Sequence, residues 1–140
     1  MADTVFGKII RGEIPAQRIF ENDQVLAFLD VSPLSVGHIL VIPKEPAETL
    51  DALSDESAAE LGRVLPRLCR AVMRATGCSA YNVLQNNGTA AHQAVGHVHF
   101  HIIPKPDQKQ GLGIGWPAGK LDSYQAGTLA NEIRSHLVQK

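Results

Sequence analysis

His97-Val98-His99-Phe100-His101-Ile102-Ile103 alternates imidazole and apolar side chains and runs into Pro104. Alternation with a period of two is the pattern of a half-buried β-strand. Successive strand side chains point to opposite faces, so His97, His99 and His101 are expected on one face. Val98, Phe100 and Ile102 are then expected on the other, toward the core. Neighbouring imidazoles would stand about 6.6–6.8 Å apart along such a strand. Three histidines at alternate positions point to a metal site or to phosphate chemistry.

The flanking sequence supplies the rest of a small domain. Val5 to Arg11 predicts a short helix, capped by Asp3 or Thr4 and closed by Gly12. Arg18–Glu21, a turn at Asn22-Asp23, and Gln24–Asp30 predict a β-hairpin. His38–Ile42 predicts a strand stopped by Pro43. The longest helix begins near Ser54, with Asp55 and Glu56 at its positive end. Leu61, Val64, Leu65, Leu68, Val72 and Ala75 recur at helical spacing as a core-facing stripe ended by Gly77. Pro66 falls inside that stripe and is expected to kink or split the helix. Tyr81–Gln85 predicts a strand, Asn86–Gly96 a polar loop, and Ser123 the cap of a last amphipathic helix carrying Leu129, Ile133 and Leu137. Gly111, Gly113 and Gly115 read as a flexible exposed connection, and His136 as a surface residue. The order is that of one α+β domain over residues 1–140: a mainly antiparallel sheet of about five strands, a long central helix and short terminal helices.

Composition narrows the function classes. At 140 residues, 44% hydrophobic and 19% charged, the chain is that of a soluble globular protein. A formal net charge of −1 gives no electrostatic footprint for nucleic acid or an anionic membrane. No apolar run approaches the roughly 18 residues of a membrane span. The N-terminus lacks a basic stretch followed by an apolar one, so no secretory signal is expected. Cys69 and Cys78 lack Cys-x-x-Cys spacing, Cys69 reads as a core residue, and a reducing cytoplasm is the expected compartment.

Zinc can use three histidines as a catalytic site. Three outward positions on one straight strand, however, span about 13 Å. Metal–nitrogen distances of about 2.0–2.1 Å cannot close that span. Two of the three could bind with help, but no carboxylate or cysteine pair stands at obvious ligand spacing. No metal and no cofactor are therefore expected. Phosphate chemistry suits the strand better. A neutral histidine can attack phosphorus and divide one displacement into two easier ones, while flanking imidazoles donate hydrogen bonds to the phosphate oxygens. The strand pattern does not itself choose the nucleophile among the three.

The segment His97–Ile103 resembles the signature of the histidine-triad family, histidine–apolar–histidine–apolar–histidine–apolar–apolar. The likeness spans nearly the whole chain. Residues 3–15, 26–33 (Leu-Ala-Phe-Leu-Asp-Val-Ser-Pro) and 37–44 (Gly-His-Ile-Leu-Val-Ile-Pro-Lys) resemble the nucleotide-binding branch of that family. The resemblance implies hydrolysis of purine nucleoside phosphoramidates, AMP or GMP linked to an amine, through a nucleotidyl-histidine on His99. His101 would bind phosphate, His97 would support the site, and His38 would orient the cluster. Asp30 would accept the ribose hydroxyls, as the two oxygens of a carboxylate can. Val5, Phe6, Ile9, Phe28 and Val31 would form the slot for the base, with Asn86 and Gln93 beside the ribose and phosphate. A homodimer is also implied, with the segment around Trp116 near the leaving-group side.

Two departures stand out. Many relatives carry Gly-Gln-Ser or Gly-Gln-Thr where this chain has His92-Gln93-Ala94. Ala94 removes a hydroxyl from the phosphate side, and His92 either replaces that contact or covers the loop. A structural zinc site begun by Cys-x-x-Cys in some bacterial relatives is expected to be absent, since Thr4, Gly7 and Pro46 occupy its positions. Dinucleoside polyphosphate cleavage, nucleotidyl transfer, and nucleotide binding with little turnover stay open as alternatives.

Overall fold

The computed structural model describes residues 3–137. Residues 1, 2 and 138–140, counted above in the single domain, lie outside the described residues. α1 (Val5–Ile10) starts where the Thr4 hydroxyl accepts the Gly7 N–H at 3.1 Å, and it buries Phe6 and Ile9 on one side. β1 (Arg18–Glu21) and β2 (Val25–Leu29) form the expected hairpin. The Asn22 side-chain oxygen accepts the N–H groups of Gln24 and Val25 at 2.9 and 2.8 Å, which fixes the turn. β3 (Ile39–Pro43), α2 (Asp55–Thr76), β4 (Tyr81–Gln85), β5 (Phe100–Pro104) and α3 (Ser123–Ser135) follow. The sheet has five strands in the order β1-β2-β3-β5-β4, all antiparallel.

Strand alternation divides the core in two. Val25, Ala27, Ile39, Val41 and Ile102 face α2, where they pack with Leu61, Val64, Leu68, Cys69 and Val72. Leu26, Phe28, Leu40 and Ile42 face α1 and pack with Phe6 and Ile9. His101 stands directly opposite Leu40 in the register, so it shares the α1 face. The central strands are buried on both sides because each face has its own cover.

Three expectations change. The histidine strand begins at Phe100, so His97 and His99 precede β5 rather than lie within it. The ladder stops there for a physical reason: the next positions would pair with the end of β3, where Pro43 has no N–H to donate. The Pro43 carbonyl takes the His97 ring instead, and the Val98 N–H goes to the Ala47 carbonyl at 2.8 Å. Secondly, Pro66 does not split α2, which is one helix from Asp55 to Thr76. Leu61 and Val64 before it, and Leu68, Cys69 and Val72 after it, are all buried on one stripe. Burial at roughly 1.5–3 kcal/mol per large side chain outweighs the roughly 3 kcal/mol a helical proline costs. Thirdly, Asp122 rather than Ser123 caps α3, accepting the Tyr124 N–H at 2.9 Å. Leu129, Ile133 and Leu137 are exposed. Gly111 is also less free than expected. Its φ is +86°, its N–H reaches the Leu34 carbonyl, and an added Cβ would meet the Pro104 oxygen at 2.6 Å. His136 is exposed beside Glu132, as expected.

Candidate active site

The site lies on the α1 face of the sheet. α1 is only six residues long, about 9 Å, and leaves a cleft of about 400 Å³ between itself, the end of β2 and the histidine segment. Nine of the expected site residues line it: Val5, Phe6, Ile9, Phe28, Asp30, Val31, Ala94, His99 and His101. Its floor is apolar, and Asp30 stands at the mouth where β2 ends. Phe6 meets Phe28 edge-on at 5.7 Å and His99 edge-on at 5.0 Å, so one ring joins the apolar slot to the imidazoles.

Backbone groups decide which nitrogen of each ring carries a proton. His99 Nδ1 lies 2.8 Å from the His97 carbonyl, which can only accept. Nδ1 therefore holds the hydrogen, and the lone pair of a neutral His99 sits on Nε2. His101 is the reverse. The Leu34 N–H donates to His38 Nδ1 at 3.0 Å, so neutral His38 carries its proton on Nε2. That proton faces His101 Nδ1 at 2.9 Å and Asp30 Oδ2 at 3.4 Å. His101 Nδ1 thus accepts, leaving its own N–H on Nε2. The two rings are 5.0 Å apart by centroid and present opposite chemistry, a bare nitrogen and an N–H donor. His97 stands aside, its Nε2 donating to the Pro43 carbonyl at 2.8 Å.

Burial disfavours the charged form of three of these rings, His101, His38 and His97. It pushes His101 down to about 4, helped by the neighbouring His99 and His38. Burial also lowers His38, against the pull of Asp30, and lowers His97, against its bond to the Pro43 carbonyl. Neutral rings are what the tautomer argument requires.

Other expected residues serve differently. Gln93 is buried and its amide is spent on the backbone: it accepts the Gly88 N–H at 2.7 Å and donates to the Glu48 and Val95 carbonyls at 2.7 and 2.9 Å. It fixes the loop rather than facing the cleft. Asn86 donates to the His92 carbonyl at 3.3 Å, and neither it nor His92 lines the cleft. Asp30 both accepts the Ser32 N–H at 2.8 Å and faces His38, so it organises its loop as well as the site. Ile14, Ala16, Leu40 and Val95 also line the cleft and were not anticipated. Of these, Leu40 reaches the site through the sheet register, which sets it opposite His101.

Two sets of positions bear on metals. Asp30, His38 and His101 each bring one ligand-type atom within 4.8 Å of the others. Asp30 thus brings a carboxylate to the two histidines from the end of β2, although a hydrogen bond already joins His38 to His101. Thr4, Gly7 and Pro46 do meet, with His97, around a second cleft. They do not fit a zinc ion: the Thr4 oxygen caps α1, and neither glycine nor proline has a ligand atom in its side chain.

The model of the HIT domain matches residues 11–108, 98 of the 140. The chain belongs to the HIT family. A 50% identical relative, an adenosine 5'-monophosphoramidase of Schizosaccharomyces pombe, aligns over 95% of this chain and 97% of its own. An Arabidopsis thaliana protein named adenylylsulfatase HINT3 is 39% identical over 96% of this chain and 70% of its own length. Among solved structures, a HIT family protein of Bacillus subtilis superposes with a TM-score of 0.93 at 34% identity, over 99% of this chain and 100% of the other. The α+β fold with its five-stranded antiparallel sheet is thus that of the HIT family.

Proposed function

We propose that this chain hydrolyses purine nucleoside 5'-phosphoramidates through a nucleotidyl intermediate on His99. The observation that carries this reading is the opposed pair of tautomers: a bare His99 Nε2 beside the His101 N–H, in a cleft with an apolar slot. His99 attacks the α-phosphorus, and the His97 carbonyl holds its Nδ1–H as positive charge develops on the ring. His101 donates to a phosphate oxygen, where charge builds as bonds exchange. His38 sets the His101 tautomer, and His97 fixes the carbonyl that sets His99. Asp30 accepts the ribose hydroxyls, and Val5, Phe6, Ile9, Phe28 and Val31 hold the base. Asn86 and Gln93 act by shaping the loop that carries Ala94. The name of the fission-yeast relative supports the substrate class. No metal or cofactor takes part.

The whole chain forms one such domain and works as a homodimer. β4 is an edge strand with Tyr81 and Val83 about half exposed, an open ladder that a second copy can extend. Trp116 is 83% exposed, and a partner's leaving-group side is the place for it. Cys69 and Cys78 are free thiols, which suits a cytoplasmic setting, and the net charge of −1 offers no field for nucleic acid or an anionic membrane. Among the described residues no helix is long and apolar enough to cross a membrane.

The test is turnover of adenosine 5'-phosphoramidate by purified protein in a chelator, with acid-labile labelled AMP trapped on the protein. Equal cleavage by His99→Ala, a requirement for added metal, or much faster turnover of diadenosine polyphosphate each overturns the reading. A monomer in sedimentation overturns the dimer.

A further inference from the structure

Among the described residues His92 is the one residue other than glycine with a left-handed backbone, at φ 71° and ψ 31°. Such a conformation costs an L-residue of order 1 kcal/mol or more and persists where surrounding structure imposes it. The surroundings here do. His92 ends the 3₁₀ turn Thr89–Ala91, its N–H bound to the Thr89 carbonyl at 3.0 Å, and its carbonyl accepts from Asn86. Gln93 beside it is locked by three hydrogen bonds. A turn that needed only this backbone would be served without strain by glycine. The loop instead carries an exposed imidazole two residues before Ala94, which lines the cleft with His99 and His101.

Proton supply gives that imidazole a task. The nitrogen of an alkylamine leaves phosphorus only with a proton, because its electron pair would otherwise reside on an amide anion. The buried cluster has none to give. His99 must be neutral to attack, and His97 is bound to the Pro43 carbonyl. His101, held near 4, can donate a hydrogen bond, but as a neutral ring it surrenders its proton only by becoming an anion. His38 is tied between Leu34, His101 and Asp30. A charge on His92 would oppose protonation of His101, which puts the two rings in one neighbourhood.

We propose that His92 is the leaving-group residue of this site, its imidazolium hydrogen-bonding the departing nitrogen and handing it a proton. The proposal rests on the nucleotidyl-His99 reading. In the first step the His99 Nε2 lone pair bonds to phosphorus and the P–N bond breaks. Its electron pair leaves on the nitrogen, which takes the His92 proton and departs as a neutral amine. In the second step water attacks phosphorus and His92, now neutral, takes one of its protons. The new P–O bond forms, the His99–phosphorus bond breaks, and its pair returns to Nε2. The preferred substrates are conjugates of basic amines, which leave poorly unaided.

The experiment compares two AMP derivatives, an alkylamine phosphoramidate and a p-nitrophenyl ester whose phenolate leaves without a proton. His92→Gly keeps the left-handed backbone without strain, and His92→Asn tolerates it while retaining hydrogen bonding but no titrating proton. In both variants the ratio of kcat/KM for ester over amide rises tenfold or more. A smaller change overturns the role of His92. The wild-type ester reaction separately tests the reading beneath it. If AMP accumulates on His99 and the ratio does not move, only the His92 assignment falls; if no His99 adduct forms, both fall.

Discussion

Beneath α2 the sheet presents Val25, Ala27, Ile39, Val41 and Ile102, each 1% exposed or less. Beneath α1 the same strands present Leu26, Phe28, Leu40 and, opposite Leu40, His101. The covers differ more than the strands do. α2 has 22 residues and seals its side with an apolar stripe, whereas α1 has six and leaves a cleft. The sealed face holds the fold together, and that stability lets the open face bury His38, His97 and His99 at 4% exposure or less. Buried polar groups are tolerated there because each is matched to a particular backbone or side-chain partner. Substitutions on the two faces should therefore separate activity from stability.

The largest effect is expected from His99→Ala. Loss of the proposed nucleophile should lower kcat for adenosine phosphoramidate by at least about 10³-fold, roughly 4 kcal/mol of barrier. Urea unfolding should move far less than activity. A variant that keeps a tenth of wild-type turnover would break the comparison at once. Its counterpart on the sealed face is Leu61→Ala. That change removes a fully buried side chain from under α2 and should cost about 2–5 kcal/mol of stability. At a temperature where the variant is folded, kcat/KM should stay within about twofold of wild type. A larger loss would mean that the two faces are coupled.

Asp30→Asn sits at the mouth of the open face and should act more gently. The amide retains one acceptor oxygen but loses the charge, so AMP should bind about tenfold more weakly, near 1.4 kcal/mol. The penalty should shrink for 2'-deoxy-AMP, which lacks one of the hydroxyls that the proposed role gives to Asp30. Equal penalties for both nucleotides would assign Asp30 to its Ser32 and His38 contacts alone.

What the sequence made legible was local. The Asn22 turn, the Ser54 cap and the apolar stripe of α2 each depend on residues close in the chain, and each formed as expected. The end of the histidine strand did not, because it is set by a missing N–H at Pro43, 54 residues before His97. Tautomers were illegible although their partners lie only two and four residues away, because the folded backbone alone aims those groups at the rings. The carbonyl under His99 and the Leu34 N–H under His38 appear only when the chain is folded. Gln93 looked like a nucleotide ligand, yet its amide reaches the Glu48 carbonyl, 45 residues away. Pro66 looked like a break until burial on both sides of it was counted.

The smallest expected effect comes from charging the open face. His101 falls from 6.5 to about 4 on folding, so between those values the unfolded chain binds a proton that the folded chain refuses. The unfolded state gains relative stability across that window, and the folded protein should weaken as the pH is lowered from about 6.5 toward 4. A fall from 6.5 to about 4 corresponds to at most about 3.4 kcal/mol, and partial exposure of the ring to solvent reduces this to about 1 kcal/mol. His38 and His97 are lowered too and contribute with the same sign. Urea midpoints for wild type and His101→Asn at pH 7, 5.5 and 4.5 isolate the His101 share. Asparagine keeps an acceptor for the His38 Nε2–H but does not titrate, so the variant should show the shallower slope. Parallel slopes would mean that His101 can be protonated in place, and the fixed N–H donor assigned to it would have to be given up.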